Sequence, residues 1–291
     1  MKMKDNLWLG YYSRPDVREE IVRFCRDRWI ALHCLDEHGN LVFRRYMRWK
    51  PITIKDMRDL NKLFEHFKVR SIYATANIYR SINSAEDVYD LLNIYSCTPT
   101  WDIDSSIENW SETIKVSEII LSILEEMGLK DSVYIKWSGN GCHIHIHEGA
   151  ISENLLSQYH PLDLAYATVE YVRRRLMTKL VENPIKRDIV VENKMDLTRV
   201  FTSPLSLHRK LDVACICMKP EDLKEFTPKW IEPGNFKHNP NWRDYVEGEA
   251  DNLAVKAYRA VGGYPLKPRR RRRKTQPLDK QIMKWLNKIP K

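Results

Sequence analysis

The run VYIKWSGNGCHIHI, residues 133–146, constrains the fold more than any other stretch of the chain. An apolar segment, a Ser-Gly-Asn-Gly group and an alternation of histidine with isoleucine read as a strand, a glycine turn and a returning strand. Residues two apart on a strand face the same way, so His143, His145 and His147 share one side if the strand is regular. Such a turn leaves backbone N–H groups free, and Gly139 and Gly141 let a phosphate approach the chain closely. Ser138 and His143 can add hydrogen bonds to phosphate oxygens. A plain β-hairpin is the simpler alternative.

The other periodic segments supply partners for this hairpin. RPDVREEIVRFCRDRW (14–29) has apolar residues at helical spacing and early acids. WIALHCLDEHGNLVFRRYMRW (29–49) alternates on both sides of the turn signal DEHGN, and SIYATANIY (71–79) alternates as a strand. Helices are expected over TIKDMRDLNKLFEHF (53–67) with Thr53 as cap and over SAEDVYDLLNIY (84–95) with Ser84 as cap. Two more are expected: residues 111–128, capped by Ser111 and stopped by Gly128, and residues 161–181, with Pro161 just inside the start. Residues 187–218 read as strands around the SPLSLHRK loop. Strands and helices alternate irregularly, which makes the fold class α+β.

Net charge is +9, from 48 basic and 39 acidic residues. The excess sits at one end: residues 267–291 hold eleven Lys/Arg and one Asp, leaving 37 basic and 38 acidic residues in 1–266. The expected organisation is a body over 1–255, a basic linker over 256–275 and a short amphipathic helix over 276–291, a docking element or the start of a further domain. Lys267, Arg269, Arg270, Arg271, Arg272, Arg273 and Lys274 form a candidate nucleic-acid-binding arm, against the plainer reading of a solvated linker. No apolar run approaches the roughly 20 residues that span a bilayer, and MKMKDNLWLGYYSRPD has no hydrophobic leader segment. The expected setting is cytoplasmic, with no membrane partner. The six scattered cysteines contain no CxxC pair and read as reduced and mostly buried, with Cys215 and Cys217 on one face of a strand.

Asp102 and Asp104, in WDIDSS, project to the same side of a strand, where two carboxylates repel unless a positive charge lies between them. Hard divalent cations held by carboxylates and phosphate oxygens meet that need. The plainer reading makes one Asp a helix cap and leaves the other exposed. His143, His145 and His147 could alternatively form a zinc site.

The ordered set Asp102-x-Asp104, SGNGCH and a lone Asp196 before SPLSLHRK resembles the three motifs of the archaeo-eukaryotic primase superfamily. It is most similar to the catalytic small subunit of DNA primase and to primase-polymerase domains, and the likeness spans residues 10 to about 218. RDRWIALHC and FRRYMRW resemble the paired N-terminal strands, and SIYATANIYRS the segment before the first motif. The resemblance implies a prim-pol catalytic core that starts or extends strands on a single-stranded DNA template from nucleoside triphosphates. It implies that Asp102, Asp104 and Asp196 hold two Mg²⁺ or Mn²⁺ ions. It also implies that Ser138, Gly139, Gly141 and His143 contact the nucleotide, with His208, Lys210 and Arg28 adding further contacts. His145 and His147 match nothing catalytic. Asn140 stands where the family often has arginine and Thr202 where a basic residue is usual, so two triphosphate contacts are expected to be weaker or supplied elsewhere. The cysteine-rich zinc element of many small subunits is absent between Asp104 and Ser138, which equally fits a minimal prim-pol of a mobile element. A regulatory subunit or further C-terminal domain is an expected partner. Two alternatives remain: a non-catalytic single-strand-binding module, and a zinc hydrolase built on the three histidines.

Overall fold

A computed structural model of the chain describes residues 8, 10–182 and 189–266. In chain order the elements are α1 (Pro15–Cys25), β1 (Ile30–Leu35), β2 (Leu41–Arg44), β3 (Tyr46–Met47), β4 (Lys50–Pro51), α2 (Met57–His66), β5 (Lys68–Thr75), β6 (Asn77–Tyr79), β7 (Ile94–Cys97), β8 (Thr100–Asp104) and α3 (Trp110–Glu126). They continue with β9 (Val133–Trp137), β10 (Cys142–Ile146), α4 (Glu153–Leu156), α5 (Pro161–Glu182), β11 (Val190–Glu192), β12 (Val200–Thr202), β13 (Ile216–Met218) and α6 (Asp251–Val261). The fold is mixed α+β, as its pattern of alternation requires.

Two antiparallel sheets carry it. One runs β12–β5–β1–β2 and the other β11–β8–β10–β9–β13. The second sheet has opposite chemistry on its two faces. Trp101, Ile103, Val133, Ile135, Trp137, Cys142, Ile144 and Ile146 are all buried, and by strand alternation they lie on one face. Helices α3 and α5 cover it: the Trp101 indole donates to the Val169 carbonyl at 3.0 Å, and Ser117 Oγ lies 3.2 Å from Cys142 Sγ. The other face carries Thr100, Asp102, Asp104, His143, His145 and Lys136 and looks toward the first sheet. Lys136 Nζ donates across the gap to the Thr202 carbonyl on β12 at 2.9 Å.

Local chemistry departs from the sequence reading at several element ends. The cap of α2 is Asp56, whose carboxylate accepts from the Arg58 and Asp59 amides, and not Thr53. Helix α3 begins at Trp110 with Asn109 in the cap position, two residues before the expected cap Ser111. Residues 84–95 form no α-helix. The Asp87 carboxylate accepts from the Asn83 and Ser84 amides, and Asn93 Nδ2 donates to the Ser81 and Asp87 carbonyls. Asn93 thus takes the Asp87 carbonyl, which a helix would bond to the Leu91 amide, and the segment holds turns, one short 3₁₀ stretch, Leu91–Asn93, and the start of β7. The expected boundary at 255 falls inside α6, which packs on α5, and the Tyr264 amide donates to Asp163 Oδ1 at 2.8 Å. The packed body therefore continues past 255. The rest of the expected linker from 267, its basic arm and the 276–291 helix lie outside the described residues. All six cysteines are free and buried, and no helix of the described residues is long and apolar enough to cross a membrane.

Candidate active site

Strand register gathers the polar side chains. Asp102 on β8 faces His143 on β10 and Glu192 on β11, and His143 in turn faces Lys136 on β9. Directly opposed residues of an antiparallel pair point to the same face, so Glu192, Asp102, His143 and Lys136 form one row across four strands. At one end of the row β12 covers the sheet, with the Phe201 ring 5.0 Å from His143 and 5.7 Å from His145. At the other end it opens to solvent, where the Asp104 side chain is 60% exposed against 13% for Asp102.

One cation sits at that open end. Lys194 Nζ lies 2.9 Å from Asp102 Oδ2 and 3.5 Å from Glu192 Oε2, and it contacts Asp104 Oδ2 directly. On its other side Asp102 Oδ1 lies 3.2 Å from His143 Nε2. Burial alone would raise the Asp102 pKa, but His143 and Lys194 outweigh it and hold the carboxyl well below the usual range. Burial likewise works against the Lys194 charge, yet the two aspartates raise its pKa. The carboxylate pair is tolerated because an ammonium neutralises it. Neither Lys194 nor Glu192 was singled out from the sequence. The period-two step from Glu192 through Lys194 to Asp196 was the available signal.

The glycine turn is bound to the protein's own structure on both sides. A Cβ on Gly141 would stand 2.0 Å from the Ile103 carbonyl oxygen, so only glycine lets the turn close against β8. Gly139 has φ +122°, and a Cβ there would meet the His208 ring at 3.1 Å. The Ser138 amide closes the turn onto the Gly141 carbonyl at 3.1 Å, and the Trp137 indole donates to the Gly139 carbonyl at 3.0 Å. The two glycines therefore answer first to close packing. The same packing brings the SGNG turn against His208, which lies far along the chain. His208 Nδ1 accepts from the Lys210 and Leu211 amides at 3.3 and 3.1 Å. Burial, helped by nearby Arg209, pushes its pKa down to about 4, so the ring is neutral at pH 7. Lys210 is exposed beside it.

Other expected residues have partners of their own. Asp196 Oδ1 accepts from the Thr198 amide at 2.7 Å and its hydroxyl at 3.2 Å, and Oδ2 lies 3.8 Å from Arg199. Its own loop holds it. Among the described residues no group of three His, Cys, Asp or Glu side chains is arranged to hold a metal ion. Arg28 does not reach the open row. It is buried, and its guanidinium donates to the Thr75 and Ala76 carbonyls, to Thr98 Oγ1 and to Glu148 Oε1. The three histidines also diverge. His145 Nδ1 lies 2.8 Å from Thr100 Oγ1 and its ring stacks on Tyr134. His147, beyond the end of β10, accepts from the Gly149 amide and stacks on Tyr245. Each has a separate structural partner, which removes the basis for a three-histidine zinc site.

The donor chemistry still fits a hard cation. Carboxylate oxygens of Asp102, Asp104 and Glu192 converge on a single positive nitrogen at an open sheet edge, and that ammonium stands where a cation belongs.

No known protein family matches the chain by sequence, and no curated protein does. Solved structures do. The polymerase domain of Mycobacterium tuberculosis ligase D, determined in complex with DNA, superposes with a TM-score of 0.53 at 12% identity, covering 87% of this chain and 88% of that one. This chain shares the mixed α+β fold of that domain.

Proposed function

We propose that this protein is a metal-dependent nucleotidyltransferase that starts or extends a strand on a single-stranded DNA template. The observation carrying this reading is the convergence of Asp102 and Asp104 on one cation at the open edge of the second sheet. The polymerase-domain fold and the ordered primase-like motifs support it. Asp102 and Asp104, with Glu192 or Asp196 as the further ligand, would hold Mg²⁺ or Mn²⁺. Bound there, the metal supplies activation of a 3′-hydroxyl and charge stabilisation of the leaving pyrophosphate.

The chain's own residues then divide the remaining work. His143 orients Asp102 from the buried side. Lys194 would give up the carboxylates to a more highly charged cation, and its ammonium would then be free to meet triphosphate oxygens. His208 and Lys210, against the Ser138–Gly141 turn, offer a neutral N–H donor and an exposed ammonium to the same phosphates. Ser138 adds a hydroxyl. Arg28 takes no part. The basic segment 267–274 is assigned to holding the template.

The test is incorporation of labelled nucleotides by the full chain on primed and unprimed single-stranded templates with Mn²⁺. The wild type should incorporate, and Asp102→Ala should lower the rate by at least about 10²–10³-fold, the cost of losing one preorganised electrostatic group. Full activity in that variant sinks the assignment. A wild type that binds template but never incorporates would make Lys194 a permanent substitute for metal and the protein a non-catalytic binding module.

A further inference from the structure

Trp49 is the most exposed large hydrophobic residue among those described, at 94% of its full surface. It sits at the tip of the β3–β4 hairpin, where Met47 pairs with Lys50 and the two-residue loop is Arg48–Trp49. Both loop residues have positive φ, +49° and +69°. A two-residue hairpin loop of that hand strongly favours Asn-Gly or Asp-Gly, because side chains with a Cβ are strained there. This protein instead holds an arginine and a bulky indole in the strained positions and shows the indole to solvent. Neither hydrophobic burial nor turn chemistry accounts for that choice.

The hairpin is rooted firmly at the start of β1. The Arg45 carbonyl accepts from the Ile52 amide and the Trp29 indole, and the Ile52 carbonyl accepts from the Ile30 amide at the start of β1. The Arg45 guanidinium lies 3.4 Å over the Trp29 ring and donates Nη1 to the Thr198 carbonyl at 3.1 Å. Thr198 is the residue whose amide holds the Asp196 carboxylate. The tip is thus carried by a braced stem tied to the Asp196 loop. Its charge is one-sided: residues 41–55 include Arg44, Arg45, Arg48, Lys50 and Lys55 and no Asp or Glu.

We propose that this hairpin is a binding element for single-stranded nucleic acid, with a base stacked on Trp49 and the adjacent phosphates met by Arg48 and Lys50. An exposed aromatic among cations, on a rigid support, matches what such strands present: a π-face on every base and a charge on every phosphate. Strain at a site without a folding role fits a residue kept for contact with a ligand. The inference rests on the proposed polymerase function for the identity of the strand, and names the surface that holds it.

The test uses the full chain and a fluorescein-labelled oligothymidylate, with affinity read by anisotropy over a range of salt concentrations. Trp49→Ala should weaken binding about 5- to 150-fold, the range for losing one base–aromatic stack, without changing the salt slope. Trp49→Phe should keep most of the affinity. Arg48→Ala with Lys50→Ala should instead reduce the slope of log affinity against log salt by about 0.7 for each phosphate that is no longer neutralised. Replacing Arg48–Trp49 by Asn-Gly should raise the melting temperature while weakening binding, which separates ligand contact from structural support. Trp49→Ala binding as tightly as a wild type that itself binds overturns this proposal alone and leaves the tip as a face for a protein partner. A wild type with no affinity for the oligonucleotide overturns both this proposal and the function on which it rests.

Discussion

Arg28 with Glu148, and Lys194 with Asp102 and Asp104, are both cation–carboxylate groupings, yet one is closed and the other open. The Arg28 side chain is 3% exposed, and its planar fork is shared among four acceptors, two of them main-chain carbonyls. Glu148 is also bonded by Thr98 at 2.9 Å. Burial would raise the Glu148 pKa, but Arg28 holds it down at about 2. Lys194 reaches its carboxylates on a flexible stem at a sheet edge, and one of them stays mostly in water. A guanidinium fork in a closed pocket fixes structure, whereas a compact ammonium at an open edge can be exchanged for another cation. The difference separates what holds the two sheets in place from what is available for chemistry.

The largest expected effect breaks the closed grouping. Arg28→Met leaves Glu148 without its counter-charge and should cost about 3–5 kcal/mol in urea unfolding, the range for removing one partner of a buried pair. Incorporation per folded molecule should stay near wild type. A variant that folds normally but loses nucleotide affinity would return Arg28 to the substrate.

Acid should act on the same grouping. The folded-state pKa of Glu148 is depressed from 4.5 to about 2, so its stabilising contribution is complete above about pH 4.5 and is lost as pH falls toward 2. Asp102 is depressed as well and adds in the same direction. Stability should therefore fall across that window, and Glu148→Gln should flatten the fall. An unchanged pH dependence in that variant rules Glu148 out as the titrating group.

The open grouping is sharpened by Lys194→Met. Without the internal ammonium the two aspartates repel, so the metal-free protein should melt earlier. Mn²⁺ should bind about tenfold tighter by calorimetry, since it no longer displaces a bound cation, a change of ~1.4 kcal/mol. Arg28→Met should leave Mn²⁺ affinity alone. Equal Mn²⁺ affinity in wild type and Lys194→Met would separate the lysine from the cation site. The smallest effect is His147→Ala. It removes an acceptor for the Gly149 amide and a stack on Tyr245, costs about 1 kcal/mol and leaves incorporation intact.

Much of the framework was readable from local pattern. Alternation about SGNG and DEHGN marks the hairpins β9–β10 and β1–β2, and the apolar periods of 111–128 and 161–181 mark the two helices that cover the second sheet. Period two also puts Asp102 and Asp104 on one face, because that geometry belongs to any strand. The segment 84–95 shows where periodicity fails. Its apolar spacing is helical, but the Asn93 side chain takes the Asp87 carbonyl, and periodicity carries no information about that competition.

Alternation along WDID is enough to force two carboxylates together and to require a positive charge. Which charge meets them follows from long-range strand pairing. Lys194 arrives from a segment 90 residues away through the pairing of β11 with β8, and Arg28 and Glu148 meet across 120 residues inside the protein. Strand alternation is fixed by bonds between neighbouring residues. The choice among several cations and several carboxylates depends on which surfaces the sheets bury and which edge they leave in water.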